Sequence, residues 1–190
     1  MKKRVFYIVL FIGAALGLFF VFRGVGGNSE SSASESSTEV KPIKTEAVNK
    51  EFKFPLSDGS EQVPDFAFEI TNVELTDEII VQGQKATAIA GRDFLIVNLK
   101  ITNEYEKAIE MNTRDYIRLL VNGNEEEKLA PEIHNDPVEV QAISTKYTRV
   151  GFAIDENQDN LSLLVGQIKE DKEKLPIFSE QESNEQKKEE

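Results

Sequence analysis

Phe94-Leu95-Ile96-Val97-Asn98-Leu99-Lys100-Ile101-Thr102-Asn103 decides the fold class. Leu95, Val97, Leu99 and Ile101 share one parity, while Ile96, Asn98, Lys100 and Thr102 share the other. Successive side chains of a strand point to opposite faces, so the stretch predicts a strand with one apolar face and one that turns polar along its length. The same period recurs outward from it. Thr148, Val150, Phe152 and Ile154 alternate with Tyr147, Arg149, Gly151 and Ala153, and Ile117, Leu119 and Val121 alternate with Tyr116, Arg118 and Leu120. Leu161, Leu163 and Val165 supply a further strand. Phe66, Phe68 and Ile70 lie on one parity and Val73 and Leu75 on the other, so a bulge near Thr71-Asn72 is needed to bring both sets to one face. Asn122-Gly123, directly after Val121, is a turn signal because both residues tolerate positive φ.

Short strands separated by turns over residues 62–178 predict an all-β domain, an immunoglobulin-like antiparallel β-sandwich, with a β-barrel as the alternative. The chain has no Cys and no Trp, so the cysteine pair and core Trp that mark antibody domains are missing. The assignment therefore rests on periodicity and length.

The run from Phe94 to Asn103, followed by Tyr116-Ile117-Arg118-Leu119 and by Arg149-Val150-Gly151-Phe152-Ala153-Ile154, resembles the bacterial immunoglobulin-like domain of unknown function family numbered 4352. The resemblance covers roughly Gln62 to Phe178. It implies a domain carried behind a signal peptide, a lipoprotein signal or a membrane helix in bacterial surface proteins, and it brings no catalytic residues. The chain departs from the family's pattern where a Pro-Gly turn is replaced by Ala142-Ile143-Ser144-Thr145, a change that bears on the register of the following strand.

Composition narrows the function. Lys plus Arg number 22 against 34 Asp plus Glu, a formal net charge of −12 that repels phosphate backbones and argues against a nucleic-acid partner. Without Cys there is no disulfide, thiolate nucleophile or lipid-modified cysteine, and His134 alone supports no multi-histidine metal site. The sequence thus predicts no cofactor and a binding or adaptor module rather than an enzyme, with an extracytoplasmic enzyme whose site goes unrecognised as the alternative.

Lys2-Lys3-Arg4 precede Val5 to Phe22, 18 residues without a charge. As a helix this run would extend about 27 Å, close to the hydrocarbon thickness of a bilayer. Residues 1–23 are therefore predicted to be a single-pass anchor with the basic end in the cytoplasm and the rest of the chain outside. Removal as a signal peptide is the alternative, since Val25-Gly26-Gly27 offers small residues after the run. Gly13 and Gly17 form a GxxxG spacing that could let two helices approach closely, though the small residues common in membrane helices account for it more simply. Residues 24–61 are predicted to be a flexible Ser/Glu-rich tether, with six serines among the nine residues Ser29 to Ser37. Residues 179–190 are predicted to be a charged disordered tail.

Three local features invite chemistry. Asp155, Asn157 and Asp159 stand at alternate positions, as the first ligands of a calcium loop do, yet Asn160 occupies the place of the turn glycine and Gly166 that of the bidentate Glu. A solvated inter-strand turn is the expectation. His134, in Pro131-Glu132-Ile133-His134-Asn135-Asp136-Pro137, is expected to be a loop histidine, because a general base needs a nucleophile and an orienting group that no spacing here supplies. Glu125-Glu126-Glu127 is expected to cap a hairpin. No site residue is assigned, and the partners expected are the membrane and a protein or another envelope component, met through a sheet edge or end loops.

Overall fold

The computed structural model describes residues 40–57 and 62–179, with side chains over residues 40–55 and 66–179. The strands in chain order are β1 (Lys44–Ser57), β2 (Gln62–Thr76), β3 (Glu78–Val81), β4 (Gln84–Thr87), β5 (Arg92–Asn103) and β6 (Ile109–Met111). After a 3-10 turn at Thr113–Asp115 come β7 (Ile117–Leu120), β8 (Ile133–His134), β9 (Val138–Val140), β10 (Ser144–Asp155), β11 (Leu161–Val165) and β12 (Glu173–Ile177). One antiparallel sheet has the order β1-β2-β5-β10-β8, a second has β12-β11-β7, a hairpin pairs β3 with β4, and a two-stranded antiparallel ladder pairs β6 with β9. The domain is all-β and sandwich-like.

The core lies between the large sheet and a second layer made of β7, β11, β12 and the β6–β9 pair. Phe66, Phe68, Ile70, Leu95, Val97, Leu99, Ile101, Val150 and Phe152 from one side meet Ile117, Leu119, Leu163, Met111 and Val140 from the other. Every inward position expected from periodicity is buried except Leu75 and Thr148, which are half-buried. The bulge also falls where parity demands it. Ile70 pairs with Leu99 and Asn72 with Asn98, leaving Thr71 as the extra residue whose hydroxyl reaches the Asn98 carbonyl at 3.2 Å. Ile70 and Val73 are thereby buried on the same side.

The outer face of the large sheet divides in two. At one end Lys100 pairs with Glu69 at 2.7 Å, and Glu74 accepts from Asn72 and Asn98. At the other, Ile96 is buried, and a Cβ on Gly151 would sit 2.7 Å from the Ile96 methyl and 3.2 Å from Ile133. Gly151 is therefore a site of close approach rather than an empty position on a wet face. Arg149 lies on the outer face as expected, but it is half-buried and its guanidinium donates to the Ile80 carbonyl, tying the β3–β4 hairpin down.

The tether expected over residues 24–61 is corrected over Lys44–Ser57, which is a strand. Phe52 and Phe54 share a parity and are buried; the Phe54 ring lies 5.8 Å from Phe68 and 5.0 Å from Tyr116 between centroids. Burying two aromatic rings offsets the ordering entropy of a stretch that is otherwise charged. The Val48-Asn49 register shift against β2 is accommodated by Asn49 at φ 48°. The anchor at residues 1–23, the tether before residue 40 and the tail beyond residue 179 lie outside the described residues. Among the described residues no helix is long and apolar enough to cross a membrane.

β10 pairs with β5 without a register shift from Ser144↔Asn103 to Asp155↔Arg92. The turn that enters it is made without glycine: Ile143 adopts φ 49°, the left-handed conformation a Gly of a Pro-Gly turn takes freely. A β-branched residue there carries about 1–2 kcal/mol of backbone strain. Asn103, wholly buried, holds the turn from beneath, its amide donating to the Lys107 and Gln141 carbonyls at 2.9 Å and its oxygen accepting from the Tyr105 N–H.

Candidate interaction surface

The acidic turn after β10 is built as a structural tie. Asp155 pairs with Arg92 at 3.2 Å, Asp159 N–H donates to the Asn122 side chain, and the Asn122 N–H donates back to the Asp159 carbonyl at 2.9 Å. Asn160 takes the left-handed conformation at φ 43° in place of a turn glycine. Asn122 and Gly123 form the expected turn at φ 54° and 67°, closed by Asn124 N–H to the Val121 carbonyl. Among the described residues no three His, Asp or Glu side chains gather as a metal would require.

His134 stands in β8 rather than in a loop. Its Nδ1 accepts from the Asp136 N–H at 3.3 Å, and its Nε2 lies 3.5 Å from the Arg114 guanidinium. The buried Asp136 carboxylate accepts from the Thr113 N–H at 2.7 Å, the Thr113 hydroxyl at 2.6 Å and the Arg114 N–H at 3.0 Å. It caps the 3-10 turn from a distance, a task Asn112 leaves undone. The hydroxyl of Thr113 bonds the carboxylate rather than the imidazole and is wholly buried, so these groups do not form a nucleophile–base pair. Glu125 is exposed beside the turn and pairs with Lys174 at 2.7 Å, which holds its carboxyl below the usual range.

The described surface carries several grooves, two of them against its sheets. One, of about 600 Å³, covers the outer face of the small sheet over Leu120 and Leu164. Three of its basic side chains, Arg118, Lys172 and Lys174, bond to groups of the protein itself. Lys172 donates to the Gly166 and Gln167 carbonyls, and Arg118 donates to those of Arg114 and Ile117. Burial, then the nearby Arg118 and Lys128 charges, push the Lys172 ammonium below its ordinary pKa. Glu125, Glu170 and Asp171 on the same walls balance the positive charge.

The other groove, of about 630 Å³, runs beside β10. It exists because the chain diverges: β9 leaves to pair with β6 in the other layer, while β10 turns back through Gln141 to Ile143 and joins β5. On its far side β10 is covered by β8 only at Val150 and Gly151. The Gly151 carbonyl accepts from the Glu132 N–H, on the side away from β5. Backbone groups alternate in direction along a strand, so the N–H and C=O of Thr145 and Tyr147 face the groove too. No strand pairs with them there among the described residues. Tyr147 is 70% exposed, and the Thr148 hydroxyl is buried without a hydrogen-bond partner. Periodicity identified β10 but not its exposed edge, because the order of strands in a sheet leaves no trace in alternation.

No protein-family model and no curated protein matches the chain. Among solved structures the chain is similar to a conserved hypothetical protein from Bacillus anthracis, at 16% identity and a TM-score of 0.49, covering 70% of this chain and 96% of that one. It is also similar to a functionally unknown protein from Listeria monocytogenes EGD-e, at 13% identity and a TM-score of 0.46, covering 73% of this chain and 86% of that one.

Proposed function

We propose that the chain is a membrane-anchored binding or adaptor module displayed outside a bacterial cell, its domain an immunoglobulin-like sandwich of the family numbered 4352. The reading rests on one arrangement: an uncharged run at Val5 to Phe22 behind three basic residues, a polar spacer, and a domain that carries open grooves on its surface. Grooves of this kind suit the recognition of an extended or flat partner.

The test is fractionation of cells carrying the full chain with a C-terminal epitope, followed by protease treatment before lysis. The epitope is expected to sediment with membranes and to be destroyed by external protease. Recovery in the soluble cytoplasmic fraction contradicts the proposal. Mass spectrometry of the mature N-terminus separates anchoring from secretion, since a chain beginning near Asn28 indicates signal cleavage.

A further inference from the structure

We infer that the groove beside β10 accepts an extended peptide of a partner protein as an added strand, with an acidic side chain set against Lys146; this deepens the proposal that the domain is a binding module. Unpaired N–H and C=O groups of Thr145 and Tyr147 offer a main-chain ladder, in line with β8 and ending where β8 begins to cover Val150. The free stretch from Ser144 to Arg149 suits a strand of about five residues, running roughly 4.8 Å from β10. Unpaired strand edges are hazards that proteins ordinarily blunt. The opposite edge of the same sheet is blunted: β1 carries the Val48-Asn49 bulge, exposed Glu51 and Lys53, and Pro55 with no N–H to give. The β10 edge has no bulge, no proline and continuous register.

The charges select the occupant. Lys146, between the two groove-facing residues, has no acidic partner among the described residues, whereas the groove's carboxylate, Glu139, is already bonded to Gln141 at 2.7 Å. A second copy paired antiparallel about the middle of this segment would set Lys146 against its own counterpart, a like-charge pair directly opposite across the ladder. An acidic strand from another protein sets a carboxylate there instead.

The test uses the full chain in detergent micelles and fluorescein-labelled heptapeptides that alternate Val with Glu, Val with Lys, or Val with Ser. The Val/Glu peptide is expected to bind at least about tenfold more tightly than the Val/Lys peptide, and Tyr147→Pro, which removes one groove-facing N–H, to weaken it by about tenfold or more. Lys146→Glu, an exposed change that leaves the backbone intact, should reverse the preference between the two peptides. Binding unaffected by either variant overturns the edge site while leaving a binding module elsewhere on the domain. Failure of every peptide to bind overturns the edge proposal, and the cell-fractionation result still stands or falls separately. Sedimentation showing a wild-type dimer that Tyr147→Pro dissociates would assign the edge to a second copy. Tighter binding after removal of residues 180–190 would assign it to the chain's own tail. Either result overturns the proposal.

Discussion

The two edges of the five-stranded sheet were built by opposite means. β1 is a strand whose inward side chains, Phe52 and Phe54, are buried while Glu51, Lys53 and Pro55 alternating with them face outward. Lys50 pairs with Glu173, and the Phe178 N–H bonds Glu46, so the neighbouring β12 is tied to this strand. β10 instead grips β5 along its whole length and leaves its outer side open from Ser144 until β8 covers Val150. The first edge closes the sandwich; the second faces a groove. An edge can thus be made safe by blunting, or left available where something is meant to pair with it.

The difference can be tested first at the side chains that anchor each strand. Phe152, at 1% exposure in β10, is expected to cost about 4 kcal/mol on truncation to Ala, through lost burial and the cavity left behind. Phe54→Ala in β1 is expected to cost about 3 kcal/mol, being nearer the rim. Denaturant unfolding of the two variants measures both. A Phe54→Ala variant as stable as wild type would return residues 44–57 to the tether and make β2 the true edge.

Ile143→Gly sharpens the comparison at the entrance to β10. The side chain is 66% exposed and the backbone is left-handed, so Gly relieves strain at little loss of contact. A stabilisation of about 1 kcal/mol is expected, the relief being partly offset by the greater freedom of Gly in the unfolded chain. Thermal melting checks the sign, and a destabilised variant would mean that the turn tolerates Ile without strain.

The far end of the β5–β10 pair predicts a smaller, pH-dependent effect. Asp93, opposite Ile154, is buried, and burial followed by the Glu156 and Asp77 charges raises its carboxyl above the ordinary 3.8. The folded state therefore holds this proton more tightly than the unfolded one. Its stabilising contribution is complete below pH 3.8 and is lost as pH rises through the elevated folded value. Asp93→Asn should accordingly be more stable than wild type at neutral pH, with the gain shrinking below that range. A gain that grows on acidification would contradict the assignment.

What the sequence disclosed follows from the physics of alternation. The strands holding Leu95 to Ile101 and Val150 to Ile154, and the bulge at Thr71, were legible because one buried face imposes a period of two. β1 was hidden because Lys50, Glu51, Lys53 and Pro55 dilute two phenylalanines below any visible period. β6, β8 and β9 are two or three residues long, too short to show one. The groove was invisible for a different reason. Parity states which face a side chain takes, whereas the availability of Thr145 and Tyr147 depends on which strands lie beside β10, and that follows from β9 leaving to pair with β6.

Amide hydrogen exchange on the full chain, with and without the Val/Glu peptide, tests the difference between the edges most directly. Added protection is predicted at the Thr145 and Tyr147 N–H groups, with none at residues 50–54 of β1. Protection gained along β1 instead, or at neither edge while the peptide is bound, would contradict the account.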